Sequence, residues 1–106
     1  MEDKVFSWFS TKQAKAFGLE IASIVVEHVP TDASMTDKKR QSKINYAKEK
    51  MQKRIRQFKQ EEVLNFFKTA KLLNEFKWAL TDAGYSKEFA DSFSSWVFIG
   101  LRTQNF

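Results

Sequence analysis

His28 is the only imidazole in this 106-residue chain, and an imidazole is the side chain best suited to move a proton near neutral pH. Catalysis would also need an orienting partner or a nucleophile. Glu27 adjoins it, but neighbouring residues on a helix point about 100° apart. His28 is therefore read as a helix-end or core residue, and a catalytic His28 would instead lose activity without loss of fold when replaced by Gln. Among the carboxylates, Glu61 and Glu62 are adjacent, and Glu20 and Glu27 lie seven apart on one side of a helix. A di-metal helical bundle needs Glu-x-x-His motifs pointing inward, and neither "EIAS" nor "EEVL" supplies the His. The absence of Cys removes disulfides, thiolate nucleophiles and zinc-thiolate sites together. The chain also lacks a Gly-rich phosphate loop, G-x-S-x-G and H-E-x-x-H. The expectation is a non-enzymatic protein with no metal and no cofactor.

Charge provides the strongest sequence signal. Between Lys38 and Lys59 ten Lys or Arg face one acid, Glu49, a local charge of +9, whereas the remaining eight bases and twelve acids balance at −4. The stretch "TDKKRQSKINYAKEKMQKRIRQFKQ" thus makes the molecule electrically lopsided. Such a density of cations binds phosphates by releasing condensed counterions. It equally suits an acidic protein partner, or the wet face of a helix whose Lys and Arg stems cover apolar neighbours. Lys39, Lys43, Lys50, Lys53 and Arg54 form a loose cluster on a helical wheel, with Arg56 beside them, and these six are the candidate partner- or phosphate-binding residues. No helix-turn-helix, zinc-finger or RNP-type pattern accompanies them. The apolar residues after Phe58 do not keep leucine-zipper heptads.

These residues must be carried by helices, because apolar positions recur with helical periodicity and no segment alternates with period two. The fold class expected is all-α, in a single domain spanning 1–106. Ser10 and Gln13 form a capping box for a first helix whose Ala14, Phe17, Ile21, Ile24, Val25 and His28 share a face. Pro30 ends it. A second helix begins near Ser34 or Thr36 with Asp37 in its first turn. No Gly or Pro then intervenes until Gly84, so an unbroken helix over 37–82 would extend roughly 70 Å. "KQEE" at 59–62 is the expected bend or boundary. Before it, Ile44, Ala47, Met51, Ile55 and Phe58 make a stripe about 80° wide; after it, Val63 to Leu80 are apolar nearly all round. Gly84 supplies a left-handed cap, and Ser86 starts a last helix with Phe89, Phe93, Trp96, Val97, Gly100 and Leu101 on one side.

The layout expected is an antiparallel bundle of three helices, or four if the second breaks near 59–62, around a long basic central helix. The first helix folds back along 40–58 and the last along 64–82, with "VFSWF" near the middle. Phe6, Trp8 and Phe9 are read as a staple on the core in preference to a membrane-surface contact. Three helices so arranged leave aromatic surface open, predicting self-association, most simply a homodimer, through Phe67, Trp78 and Phe98. No apolar run approaches the ~18 residues of a membrane span, and the first residues do not read as a secretory signal. A soluble cytoplasmic interaction or regulatory protein is expected, with a nucleic-acid-binding protein as the alternative.

Overall fold

Three of the four helix starts are fixed by an oxygen-bearing side chain that accepts a backbone N–H left without a partner at a helix end. Thr36 accepts from Lys39 N at 3.3 Å, Asn65 from Lys68 N at 2.9 Å and Ser86 from Phe89 N at 3.1 Å. The computed structural model describes residues 11–31 and 36–103. It contains α1 (Lys12–His28), α2 (Asp37–Glu61), α3 (Phe66–Asp82) and α4 (Lys87–Arg102), with no strand among the described residues. The Ser10 cap, Ser34 and the Phe6, Trp8 and Phe9 staple lie outside those residues. Thr11, which precedes α1, makes no side-chain cap bond.

The expected boundary after "KQEE" is present. Glu62 leaves the helical region at φ −125, ψ 133, its N–H still bonded to Phe58 O at 2.9 Å, and Asn65 restarts the chain as a cap. The second sequence-predicted helix is therefore two helices. Gly84 takes φ 106, the left-handed conformation that ends a helix most readily without a Cβ.

Side-chain contacts show how the helices run. Phe17 stacks on Phe58 with centroids 4.1 Å apart, and Arg54 of α2 meets Glu20 of α1, so α1 and α2 are antiparallel. Phe76 against Phe93 and Lys77 against Asp91 make α3 and α4 antiparallel. The break changes one part of the expected layout. α1 lies along α2 as anticipated, yet its most extensive contact is with α3, while α2 and α3, consecutive in the chain, scarcely meet. Gly18 permits this closeness: a Cβ there would stand 2.6 Å from Leu72 O.

The core is built from the faces expected. Ala14, Phe17, Ile21 and Val25 of α1, Ala47, Met51, Ile55 and Phe58 of α2, and Phe93, Val97 and Leu101 of α4 are buried. α3 buries Leu72, Phe76 and Leu80; each large apolar side chain of this kind contributes about 1.5–3 kcal/mol when fully removed from water. α1 and α4 cover only part of α3, and Phe66, Phe67 and Trp78 stay exposed, as expected for a segment apolar nearly all round that three helices cannot enclose.

Polar clamps close the ends. The Tyr85 hydroxyl donates to Val29 O and, at 3.2 Å, to Val25 O, tying the α3–α4 turn to the last turn of α1. Burial pushes the Tyr85 phenol above its ordinary pKa, and the charge of Arg40 opposes that rise. Lys59 Nζ donates to Gly100 O at 2.9 Å and to Thr103 O, placing a cation on the negative end of α4. Among the described residues no helix is long and apolar enough to cross a membrane.

Candidate functional site

All ten bases of the Lys38–Lys59 stretch lie on α2, and the fold separates them into two groups. Five engage neighbouring groups of the protein. Arg40 donates to Pro30 O at 3.4 Å with its guanidinium 4.8 Å from the Phe89 ring, and Lys48 Nζ lies 5.1 Å from Trp96 and 5.6 Å from Phe93. Lys59 caps α4. Arg54 grips Glu20 with both arms of its guanidinium, Nη2 to Oε1 at 2.9 Å and Nε to Oε2, and gives Nη1 to Gln57 at 2.7 Å. The hydrogen bonding to the Glu20 carboxylate is the main reason its pKa is raised. Lys50 sits 5.2 Å from the Tyr46 ring.

The other five, Lys38, Lys39, Lys43, Lys53 and Arg56, are exposed, and their side chains enter no ion pair or hydrogen bond among the described residues. Helical spacing then sorts them. Lys39, Lys43, Lys50 and Lys53 fall within about 80° of arc with Tyr46 between them, while Lys38 and Arg56 lie roughly 60° further round. Of the six sequence-predicted basic residues, the structure thus gathers Lys39, Lys43, Lys50 and Lys53 in one seam, sets Arg56 on its flank and commits Arg54 to Glu20.

Two side chains that carry no charge signal in the sequence complete this region. His28, from the end of α1, meets Tyr46 edge-on with centroids 5.0 Å apart. Together with Lys39, Ser42 and Lys43 they line an open groove of about 590 Å³. Tyr46 retains 49% exposure within it. The His28 ring nitrogen Nε2 is buried without a hydrogen-bond partner, 4.0 Å from the Glu27 carboxylate.

On the opposite side of the bundle, α3 and α4 leave an apolar face open. Phe66 is 82% exposed, Trp78 59% and Phe67 57%, with Val63, Phe98 and Ile99 also exposed. Phe67 and Trp78 share one seam of α3, eleven residues apart, or about 16 Å along the axis. Phe98 lies where two shallow grooves meet. One, of about 510 Å³, runs past Leu64, Phe66 and Ala70 to Arg102; the other, of about 480 Å³, continues past Asn74 to Lys77 and Asp91. The three sequence-predicted aromatic residues therefore share one side of the molecule. Val63 and Phe66 extend it, marked in the sequence by the apolar excess around 63–67, and Ile99, next to Phe98, extends it on α4.

Among the described residues no group of three or more His, Asp or Glu comes together to hold a metal ion. Glu62, one of the adjacent pair considered at the outset, instead accepts from the buried ammonium of Lys68 at 3.3 Å. Compared with protein-family models, curated proteins and solved structures, the chain matches none of them.

Proposed function

We propose that this is a non-enzymatic binding protein that pairs with a second copy of itself through the open face of α3 and α4. The observation carrying this reading is the size of the exposed apolar set Val63, Phe66, Phe67, Trp78, Phe98 and Ile99. With each large aromatic offering about 150–250 Å² in full, their exposures amount to about 600–700 Å². That lies at or above the upper end of the largest patch on a typical monomer, about 300–600 Å². Two such faces meeting would bury about 1,300 Å², within the range of specific interfaces.

Self-pairing also suits the shape. In an isologous contact the same patch serves both partners, and this face carries both projecting rings, Phe66 and Phe67, and grooves along Phe98. Lys77 and Asp91 are paired at 2.9 Å beside those grooves, so this charged pair needs no new partner on docking. The basic side of α2 remains available in the pair.

Light scattering of the purified protein at tens of micromolar, beside Phe67→Asp and Phe98→Asp variants, tests the reading. The wild type is expected at twice its 12.4 kDa chain mass and the variants at the chain mass with unchanged helical circular dichroism. A monomeric wild type would contradict it, as would variants that remain dimeric.

A further inference from the structure

The basic seam on α2 has a different chemistry from the apolar face. We infer that Lys39, Lys43, Lys50 and Lys53, with Tyr46 and the His28 groove, form a binding site for single-stranded nucleic acid, in which the lysines meet successive phosphates and a base lies against Tyr46.

Charge complementarity is the first reason. The fold spends Arg40, Lys48, Arg54 and Lys59 on internal contacts, while leaving the exposed Lys39, Lys43 and Lys53 without partners among the described residues. Of the five exposed cations without such contacts, Lys39, Lys43 and Lys53 line up with Lys50 in one seam, and Lys38 and Arg56 add positive charge on its flank. From Lys39 to Lys53 the seam runs about 21 Å at 1.5 Å per residue. At the ~3.4 Å per nucleotide of a stacked strand, that is about six phosphates, within the ~4–16 nucleotides typical of single-strand sites.

The aromatic centre is the second reason. Sequence-tolerant single-strand binders combine a cationic track with rings on which bases stack. Tyr46 lies between Lys43 and Lys50 on the seam, is 49% exposed, and is steadied by the perpendicular His28 ring. The groove beside it, about 590 Å³, is lined by His28, Lys39, Ser42, Lys43 and Tyr46, a volume in the range of small-ligand sites. An acidic protein would also use the cations; the ring set among them beside a trough is the feature that gives a base a face to stack on.

Shape distinguishes single strand from duplex. A helix that reads a major groove must project from the body of the protein, whereas here the end of α1 borders the seam through His28 and makes it a trough. The acids near it are Glu27, at 4.0 Å from His28, and Glu49 on α2. They limit affinity on the flanks of the seam without occupying its line of lysines.

The test is fluorescence anisotropy of a labelled oligothymidine and of a labelled duplex with the full chain. Four phosphate contacts give a slope of about −2.8 in log K against log salt, so affinity for the single strand falls about 50-fold between about 50 and 200 mM salt. Lys39→Gln, Lys43→Gln and Lys53→Gln together should reduce that fall to about threefold. The same number of charges removed at Lys12, Lys15 and Lys87, exposed on α1 and α4 away from the seam, should leave the slope unchanged. Tyr46→Phe should bind as wild type, and Tyr46→Leu should bind at least about fivefold more weakly, the low end of a stacking contribution. Circular dichroism confirms that each variant is folded. Absence of binding at low salt, equal losses in the two charge-matched triples, Tyr46→Leu equal to Tyr46→Phe, or tighter binding of the duplex would each overturn the proposal.

Discussion

Replacing Gly18 by Ala separates two opposing effects whose sizes the structure allows one to rank. Gly18 is buried in the middle of α1, and on helix propensity alone Ala would stabilise that position by about 1 kcal/mol. Its Cβ, however, would stand 2.6 Å from Leu72 O and 3.3 Å from Glu75 Cβ. The nearer obstacle is backbone, which cannot swing aside as a flexible side chain would. Restoring ordinary contact, which begins near 3.4 Å, requires α1 and α3 to part by several tenths of an ångström along the bundle's most extensive contact. Overpacking of this kind costs about 1–3 kcal/mol, and α3 cannot withdraw without disturbing Leu72, Phe76 and Leu80. Because the 2.6 Å obstacle is backbone, the clash belongs in the upper part of that range, about 2–3 kcal/mol, and a net loss of about 1–2 kcal/mol is expected. For a domain of this length that is a fall of roughly 5–10 °C in Tm, read by thermal circular dichroism at a fixed protein concentration. Gly18→Val should fall further. A rise in Tm for Gly18→Ala would refute the close approach of α1 to α3 and with it the proposed packing of the bundle.

Removing the carboxylate from the Lys68–Glu62 pair should be worse than removing the ammonium. Lys68 is 2% exposed and Glu62 is more open, so Glu62→Ala strands a buried charge and is expected to cost about 2–3 kcal/mol, whereas Lys68→Met should cost under about 1 kcal/mol in urea unfolding. Equal costs would contradict that asymmetry. Tyr85 sets an alkaline limit. Its folded pKa is raised, so the unfolded chain loses the phenolic proton first, and stability present below the ordinary phenol pKa declines as pH rises through the folded value. Tyr85→Phe should remove that component of the alkaline decline and cost about 1 kcal/mol near neutrality through the lost hydrogen bonds to Val25 O and Val29 O; an unchanged decline would contradict the assignment. His28→Phe keeps a ring against Tyr46 and removes the unpartnered buried nitrogen, so it should raise stability by up to about 1 kcal/mol. A large loss on unfolding would instead mean that His28 Nε2 has a bonding role in the fold.

The helical fold was legible because its local signals agree with one another. The stripe of Ala47, Met51, Ile55 and Phe58, the Ser86 cap and the left-handed Gly84 all serve as the sequence suggests. The break after Glu61 was located from charge and phase alone. Asn65, the cap that restarts the helix, was missed because the lysine at its third following position gives no capping-box partner. The extensive contact of α1 with α3 was not legible, because it depends on how the chain redirects after Glu61. The small residues Gly18 and Ala22 on α1 were the available sign that another backbone comes close, and their low hydrophobicity hid it. In the candidate sites, charge density was readable but its allocation was not. Whether Arg54 faces solvent or Glu20, and whether Tyr46 stands beside His28, depends on residues 34 and 18 positions away, which periodicity along a single helix cannot relate.

Sedimentation equilibrium of the untagged chain from about one to one hundred micromolar addresses self-pairing most directly. With about 1,300 Å² of largely apolar surface available to a symmetric pair, the expected result is a reversible monomer–dimer equilibrium whose dimer has twice 12.4 kDa and is lost in Phe67→Asp. A single species at 12.4 kDa throughout that range would contradict it, and would leave the exposed Phe66, Phe67 and Trp78 face without a second copy to cover it.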